Sequence, residues 1–325
     1  MTGVHEVIIT AADTNRRLDK FLFMYLNNAP HSFIYKLLRK KRIKLNQKRA
    51  QGGELLQAGD MIKFHISQEA LDSCRKNREG INPGASSQAR YKMPKIVYED
   101  GNLLIINKPP GMASHGGMKN KNPHLLARVL VYLQEKGSYT AGANFVPALC
   151  NRLDVNTSGL VICGKNYQAI RAMNALFASP GAIKKEYLAI AEGELTGSAV
   201  LEGQYHKDTN TNTVRISQGT APPRAVTGYT SLAVSKGRTL LSVNPITGRS
   251  HQIRAHLTAI GHPLAGDKKY GGSPVHDHDA PGQLLHCKRI RITKPFLDYP
   301  INTTWVAEPP EYFKHLAQEW FGYDE

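Results

Sequence analysis

From residue 94 onward the chain is a succession of short apolar runs, KIVYED, NLLIINK, LVICGK, EYLAIAEGE, GYTSLAV and TLLSVNP, separated by Gly, Pro and Asn. Runs of that length between turn formers read as strands. Helical spacing appears only at about 123–136, 166–178 and 250–260. Strands that do not alternate with helices argue against a doubly wound parallel sheet. They predict an α+β domain on a mixed, largely antiparallel sheet. No internal repeat is present, and no Gly-rich loop of the P-loop or dinucleotide type, so no nucleotide cofactor is expected.

The 325 residues allow about two domains, and the charge shows where the first one lies. Lys and Arg number 42 against 26 Asp and Glu, a net +16, which points to a polyanionic partner. Twelve of those cations fall between Thr14 and Ser67. Within that segment Leu18, Leu22, Tyr25 and Leu26 recur at helical spacing, as do Ile34, Leu37 and Leu38 after the Pro30-His31-Ser32 break, with Ser32 as the expected cap. The run KLLRKKRIKLNQKR, residues 36–49, holds eight basic side chains and no acid, and Gly59-Asp60 then leads into a short strand, MIKFHI. A solvated helix face is the bland reading of such a run. On a compact two-helix surface the same cations suit phosphates, and Arg39, Lys40, Lys41, Arg42 and Lys44 are the candidate RNA contacts. Through RRLDKFL, SFIYKLLRKKRIKLN and AGDMIKF the segment resembles the S-four-like RNA-binding domain. The expected organisation is a basic module over 1–70, a flexible linker over 71–93 marked by Asn82-Pro83-Gly84, and a second domain over 94–325.

Cys74, Cys150, Cys163 and Cys287 form no C-x-x-C pair and no ligand spacing with His, so neither a disulfide framework nor a zinc site is expected. His276-Asp277-His278-Asp279 lies in a Pro/Gly-flanked loop, and His251 and His256 are five apart, off the spacing of a metal-binding helix face. The first twenty residues lack a signal-peptide pattern, and no apolar run approaches the ~18 residues of a membrane span. A soluble, cytoplasmic monomer is the expectation.

Four segments of the second domain concentrate polar residues between strands: NKPPGMASHGG (107–117), NRLDVNTSGLVICGK (151–165), KKEYLAI (184–190) and NPITGRSHQIRAHLTAIGHPLAGDKKYGG (244–272). Singly, each has a structural explanation, since Asp154, Asn156, Thr157 and Ser158 are all turn formers. Together, in order and spacing, they resemble the pseudouridine synthases of the large-subunit ribosomal RNA type. The catalytic loop of that family, H-R-L-D-x-x-T-S-G, stands here as Asn151 to Gly159, and its P-x-T-G-R-x-H-Q-I-R-x-H-L is intact from Pro245 to Leu257.

The resemblance implies a pseudouridine synthase catalytic domain that isomerises specific uridines of ribosomal RNA without metal or cofactor. The bond from ribose to the base nitrogen breaks, the uracil turns, and carbon 5 takes its place. One well-placed carboxylate suffices for such a step, and Asp154 is the candidate. Arg254, on a helix with Ile253, Leu257 and Ile260, is expected to hold Asp154 ionised. The resemblance sets Tyr187 against the target base, with Lys185 two residues before it, and gives Arg152 the space left by an extruded uridine. Lys108, His115, Arg249 and His251 are further candidate substrate contacts that read equally as solvated side chains. Asn151 stands where the family has His; an amide both donates and accepts, so the site is expected to stay competent. The alternative is a catalytically inactive RNA-binding or ribosome-assembly factor on the same fold.

Overall fold

The computed structural model describes residues 3–75, 92–116, 123–140, 145–219, 221–275 and 280–324. The first module contains β1 (Val4–Ile8), α1 (Leu18–Tyr25), α2 (His31–Arg39), β2 (Ile43–Leu45), β3 (Lys48–Arg49) and β4 (Met61–His65), with strand order β1-β4-β2-β3. Leu18, Leu22, Ile34 and Leu38 from the helices meet Ile43, Ile62 and Phe64 from the sheet in one buried cluster. The helical periodicity of the sequence therefore marks faces that are buried. Ser32 is not the cap. Helix α2 starts at His31 with Pro30 as its N-cap, whose carbonyl accepts from Phe33 and Ile34. Proline fixes φ at a value that suits the residue leading into a helix, which leaves Ser32 exposed one position inside.

A helix that apolar spacing does not announce, α3 (Gln68–Ser73), is capped by Ser67 Oγ accepting from the Ala70 N–H at 3.3 Å. It carries Leu71 and Cys74 into the core of the first module. The module thus continues past the expected boundary at residue 70. Of the expected 71–93 linker, residues 76–91 lie outside the described residues.

The second domain runs β5 (Ile96–Glu99), β6 (Leu103–Lys108), α4 (Leu125–Glu135), β7 (Ala148–Leu149), β8 (Ser158–Gly164), α5 (Tyr167–Ala178), β9 (Ile183–Glu192), β10 (Ser198–Asp208), β11 (Thr213–Ser217), β12 (Arg224–Ser235), β13 (Arg238–Pro245), α6 (Gln252–Ala259), β14 (Leu285–Ile292), β15 (Thr304–Val306) and α7 (Glu311–Phe321). Its strands form one sheet in the order β11-β10-β12-β13-β9-β14-β8-β6-β5, with β15 beside β14 and β7 beside β8. All these pairings are antiparallel except β8 with β14. This is the mixed, largely antiparallel sheet that the strand runs predict. No helix among the described residues is long and apolar enough to cross a membrane.

One row of the sheet sets up the site. Val243, Tyr187, Cys287, Gly159 and Lys108 are cross-strand partners through β13, β9, β14, β8 and β6. Gly159 has φ +111°, and a Cβ there would lie 2.3 Å from the Cys287 carbonyl oxygen. Only glycine admits this approach of two backbones, and it lets the loop before β8 rise out of the sheet beside Tyr187.

Candidate active site

The loop from Asn151 to Thr157, between β7 and β8, is anchored on both sides of Asp154. Asn151 donates to the Leu160 carbonyl at 3.2 Å and accepts from the Ile162 N–H at 2.8 Å. Its amide imitates a strand's backbone and ties the loop to β8. Ser114 Oγ donates to the Leu153 carbonyl at 2.9 Å and accepts from the Leu153 N–H at 3.1 Å. Lys108 Nζ donates to the carbonyls of Pro109, Met112 and Val155 at 2.9, 2.9 and 3.0 Å. Polar atoms bound on either side hold the carboxyl of Asp154 in place before any substrate arrives.

Asp154 faces a cleft of about 1570 Å³, roomy enough for more than one nucleotide. On the opposite wall α6 supplies Arg254, whose Nη1 donates to Asp154 Oδ2 at 2.8 Å. The same guanidinium gives Nε and Nη2 to the two oxygens of Asp267, each at 2.7 Å, a bidentate fork. Tyr270 closes its face, with the guanidinium carbon 4.8 Å from the ring centre. Burial alone would pull the Arg254 pKa down. Asp267, and then Asp154, more than offset this and hold it above the usual arginine value. Asp154 Oδ1 carries no hydrogen bond from the described residues, so one oxygen is held and the other is open to the cleft.

Tyr187 lines the cleft as a buried side chain beside the Cys287 thiol. Burial, then the neighbouring Cys287 and Asp154, push its hydroxyl well above the ordinary phenol range, so it stays protonated. Lys185 is half-buried on the same wall, its pKa lowered by burial against the opposing pull of Cys287. Arg152 is exposed and spans the cleft to Ser250 Oγ, 3.0 Å away. His115 lies at the rim, its pKa lowered by partial desolvation against the cleft wall and by Arg152. Arg249 is exposed with its guanidinium 5.3 Å from the Tyr205 ring centre.

Two expected substrate contacts have partners within the protein. Lys108 is fully buried and spends its three N–H bonds on carbonyls, so it braces the loop rather than meeting RNA. His251 Nδ1 lies 2.9 Å from the Tyr270 hydroxyl, and its Nε2 is 3.8 Å from Asp154 Oδ2. Asp267, Ser114 and Gln252 received no role from the sequence. Gln252 accepts from Thr247 Oγ1 at 2.6 Å and the Arg249 N–H at 3.1 Å, shaping the turn before α6. His276 to Asp279, considered as metal ligands, lie outside the described residues, among which no cluster of three or more His, Cys, Asp or Glu suits a metal.

Residues 102–259 match the RNA pseudouridylate synthase family, and residues 16–62 match the S4 domain. Ribosomal large subunit pseudouridine synthase C of Vibrio vulnificus is 31% identical over 93% of this chain and 92% of its own. The protein of the same name from Escherichia coli K12 is 32% identical over 90% of each chain. The chain belongs to the RNA pseudouridylate synthases. As a member of that family it is an isomerase that converts uridine to pseudouridine in RNA. Among solved structures, human RNA pseudouridylate synthase domain containing 1 shares the fold, with TM-score 0.55 and 23% identity over 74% of this chain and 91% of its own. Human RNA pseudouridylate synthase domain containing 4 aligns with TM-score 0.54 and 22% identity over 72% of this chain and 94% of its own.

The brace that Lys108 provides under the Asn151–Thr157 loop of this synthase has a measurable signature. Burial pulls the Lys108 pKa down to about 7, against the opposing charge of Asp154. Between pH 7 and the ordinary lysine value of about 10.4, the unfolded chain therefore holds more protons at this position than the folded one. Its contribution to stability rises with pH across that window. Lys108→Met removes the rise and leaves unpaired the carbonyls that Lys108 serves, three as an ammonium and two as a neutral amine, at a cost of about 1–3 kcal/mol for the first buried group left without a partner. Urea unfolding at pH 7 and pH 9 checks this: the gap between parent and variant widens at the higher pH, and an unchanged gap would contradict the assignment.

Proposed function

We propose that this synthase isomerises uridines in large-subunit ribosomal RNA, working as a cytoplasmic monomer in which Asp154 is the essential carboxylate. The observation that carries the reading is Asp154 Oδ2 held by Arg254 at 2.8 Å while Oδ1 stands free in the cleft. The isomerisation keeps every atom of the nucleoside: the N1–C1′ bond breaks, a C5–C1′ bond forms, and the base gains a proton at N1 and loses one at C5. No redox partner is required. An anionic oxygen fixed at the ribose–base junction by a preformed cationic partner stabilises the charge that develops as the bond breaks. Tyr187 supplies a protonated phenol and a ring face for the uracil. Arg152, at the mouth, lets go of Ser250 to occupy the gap left by the extruded nucleotide. Lys185, His115 and Arg249 are placed to meet the RNA around it.

Recognition of ribosomal RNA is supported by the names of the relatives and by the basic surface of the first module. Arg39, Lys40, Lys41 and Arg42 are exposed from the end of α2 into the following turn, with Lys44 half-buried on β2. No acidic partner occupies any of the five among the described residues. Cations left free in this way are available to phosphates. Replacing Arg39, Lys40, Lys41 and Arg42 together by Gln should flatten the plot of log affinity against log salt by about 0.7–0.9 for each phosphate no longer neutralised. Filter binding with a large-subunit RNA fragment measures this, and an unchanged slope would remove the module from RNA recognition.

The activity itself is tested by tritium release from large-subunit ribosomal RNA transcribed with C5-labelled uridine. Release at discrete uridines supports the reading. RNA binding without release would support the inactive assembly factor instead.

A further inference from the structure

His251 breaks three local rules at once. It is the N-cap of α6, yet its backbone is left-handed, with φ 52° and ψ 15°, where an N-cap is ordinarily extended. It makes no side-chain capping bond, although capping is the usual reason for a polar residue at that place. Its imidazole is turned instead into the catalytic cluster. A bulkier L-residue adopts positive φ only where the surroundings impose it, and such strain gathers at functional sites. Here the surroundings are Gln252, which holds the preceding turn, and Tyr205, whose hydroxyl donates to the Ser250 carbonyl at 3.3 Å. The effect of the left-handed turn is to aim the ring at Asp154 rather than along the helix.

The groups around the ring suit a proton on Nε2. The Tyr270 hydroxyl accepts from the Val214 N–H at 2.9 Å and lies 2.9 Å from His251 Nδ1. With Nδ1 taking the Tyr270 proton, Nε2 keeps its own and stands 3.8 Å from Asp154 Oδ2. That gap is longer than a hydrogen bond, as catalytic contacts often are before substrate binds. Arg254 Nη1 already donates to the same oxygen.

We propose that His251 is a positioning residue, a neutral imidazole whose Nε2–H closes onto Asp154 Oδ2 when RNA fills the cleft, so that it and Arg254 hold one oxygen and aim the other at the nucleoside. The groups facing the ring agree with a neutral form. Asp154 and Asp267 favour its charge, whereas burial, Arg254 and Lys269 oppose it, and the balance lies below the ordinary histidine pKa. A second proton on Nδ1 would displace the bond from Tyr270, which remains a protonated phenol.

The test is single-turnover kinetics on labelled RNA with His251→Ala, His251→Gln and His251→Asn. This inference rests on Asp154 carrying the chemistry, so Asp154→Asn runs beside them; an active Asp154→Asn would refute that reading and this one, whereas an inactive one isolates the question of His251. His251→Ala should lower the rate of the bound complex by about 10²-fold, the cost of a reacting group displaced by an ångström, with RNA affinity changed less than about threefold. His251→Gln, which carries an amide donor to the Nε2 position, should recover at least about tenfold of that loss. The parent rate should fall only on the acid side of the ordinary histidine range, where burial delays the ring's second proton, and His251→Gln should lack that limb. Should the alanine variant melt below the assay temperature, His251→Asn keeps a residue tolerant of the left-handed backbone and is read in its place, with the same loss expected. A full rate in the alanine or asparagine variant, a glutamine variant as slow as alanine, or a loss confined to RNA affinity would each overturn the proposal.

Discussion

Asp154→Asn should abolish pseudouridine formation, by about 10⁴-fold or more, while leaving RNA affinity within about threefold of the parent. The two halves of this expectation have separate physical origins. Asn occupies the volume of Asp, and the loop is held by Asn151, Ser114 and Lys108, none of which bonds to the Asp154 carboxyl. The fold and the cleft therefore persist. What disappears is the negative charge at Oδ1, and a neutral amide offers neither a nucleophile nor a counter-charge to the breaking ribose–base bond. Affinity is supplied by cations on phosphates, to which a carboxylate adds nothing. Tritium release measures the first half and filter binding the second. Turnover within tenfold of the parent would remove Asp154 from its role.

Arg254→Met should harm both stability and turnover, and the two are separable. Arg254 is 6% exposed and Asp267 1%, so the substitution leaves the Asp267 carboxylate buried without its bidentate partner. Breaking a buried pair from one side costs about 3–5 kcal/mol, more than most single substitutions, because the remaining charge is uncompensated. The double variant Arg254→Met with Asp267→Leu removes both charges and should regain most of that stability, since two apolar side chains fit where an ion pair was. It should regain no turnover, because Asp154 Oδ2 has still lost its donor. Urea midpoints and single-turnover rates decide the matter. An Arg254→Met variant as stable as the parent would show that Asp267 is not held by this pair, and recovered turnover in the double variant would show that Arg254 acts only through the fold.

Apolar spacing carried most of the architecture. Leu18, Leu22, Ile34 and Leu38 sit in the first core as their periodicity predicts, and the three helical stretches of the second domain became α4 over 125–135, α5 over 167–178 and α6 over 252–259. Strands with one polar, solvent-facing side were harder to see. In β10 the residues Ser198, Ala199, Val200 and Glu202 are exposed and only Gly203 and Tyr205 are buried, so the run resembles a loop in composition. Ile260, expected on the buried stripe of α6, is 39% exposed because the helix ends at Ala259.

At the site, the pairing of Asp154 with Arg254 spans 100 residues and followed from motif order rather than from any local pattern. The supports beneath that pair were silent for a different reason. Lys108, Ser114 and Asn151 act on backbone carbonyls and N–H groups, and every residue carries those, so nothing in the sequence marks which ones they bind. Asn151 shows the consequence. The family's His is replaced by a side chain whose two polar atoms both go to β8, which satisfies the loop without placing a titrating group there.

The most direct test of the central claim is a map of pseudouridine in large-subunit ribosomal RNA from cells lacking this protein, set beside the same cells supplied with the parent or with Asp154→Asn. One or more uridines should be unmodified in the deletion, restored by the parent, and left unmodified by Asp154→Asn present at equal abundance. An unaltered map in the deletion, or restoration by Asp154→Asn, would contradict the assignment of a ribosomal RNA isomerase built on that carboxylate.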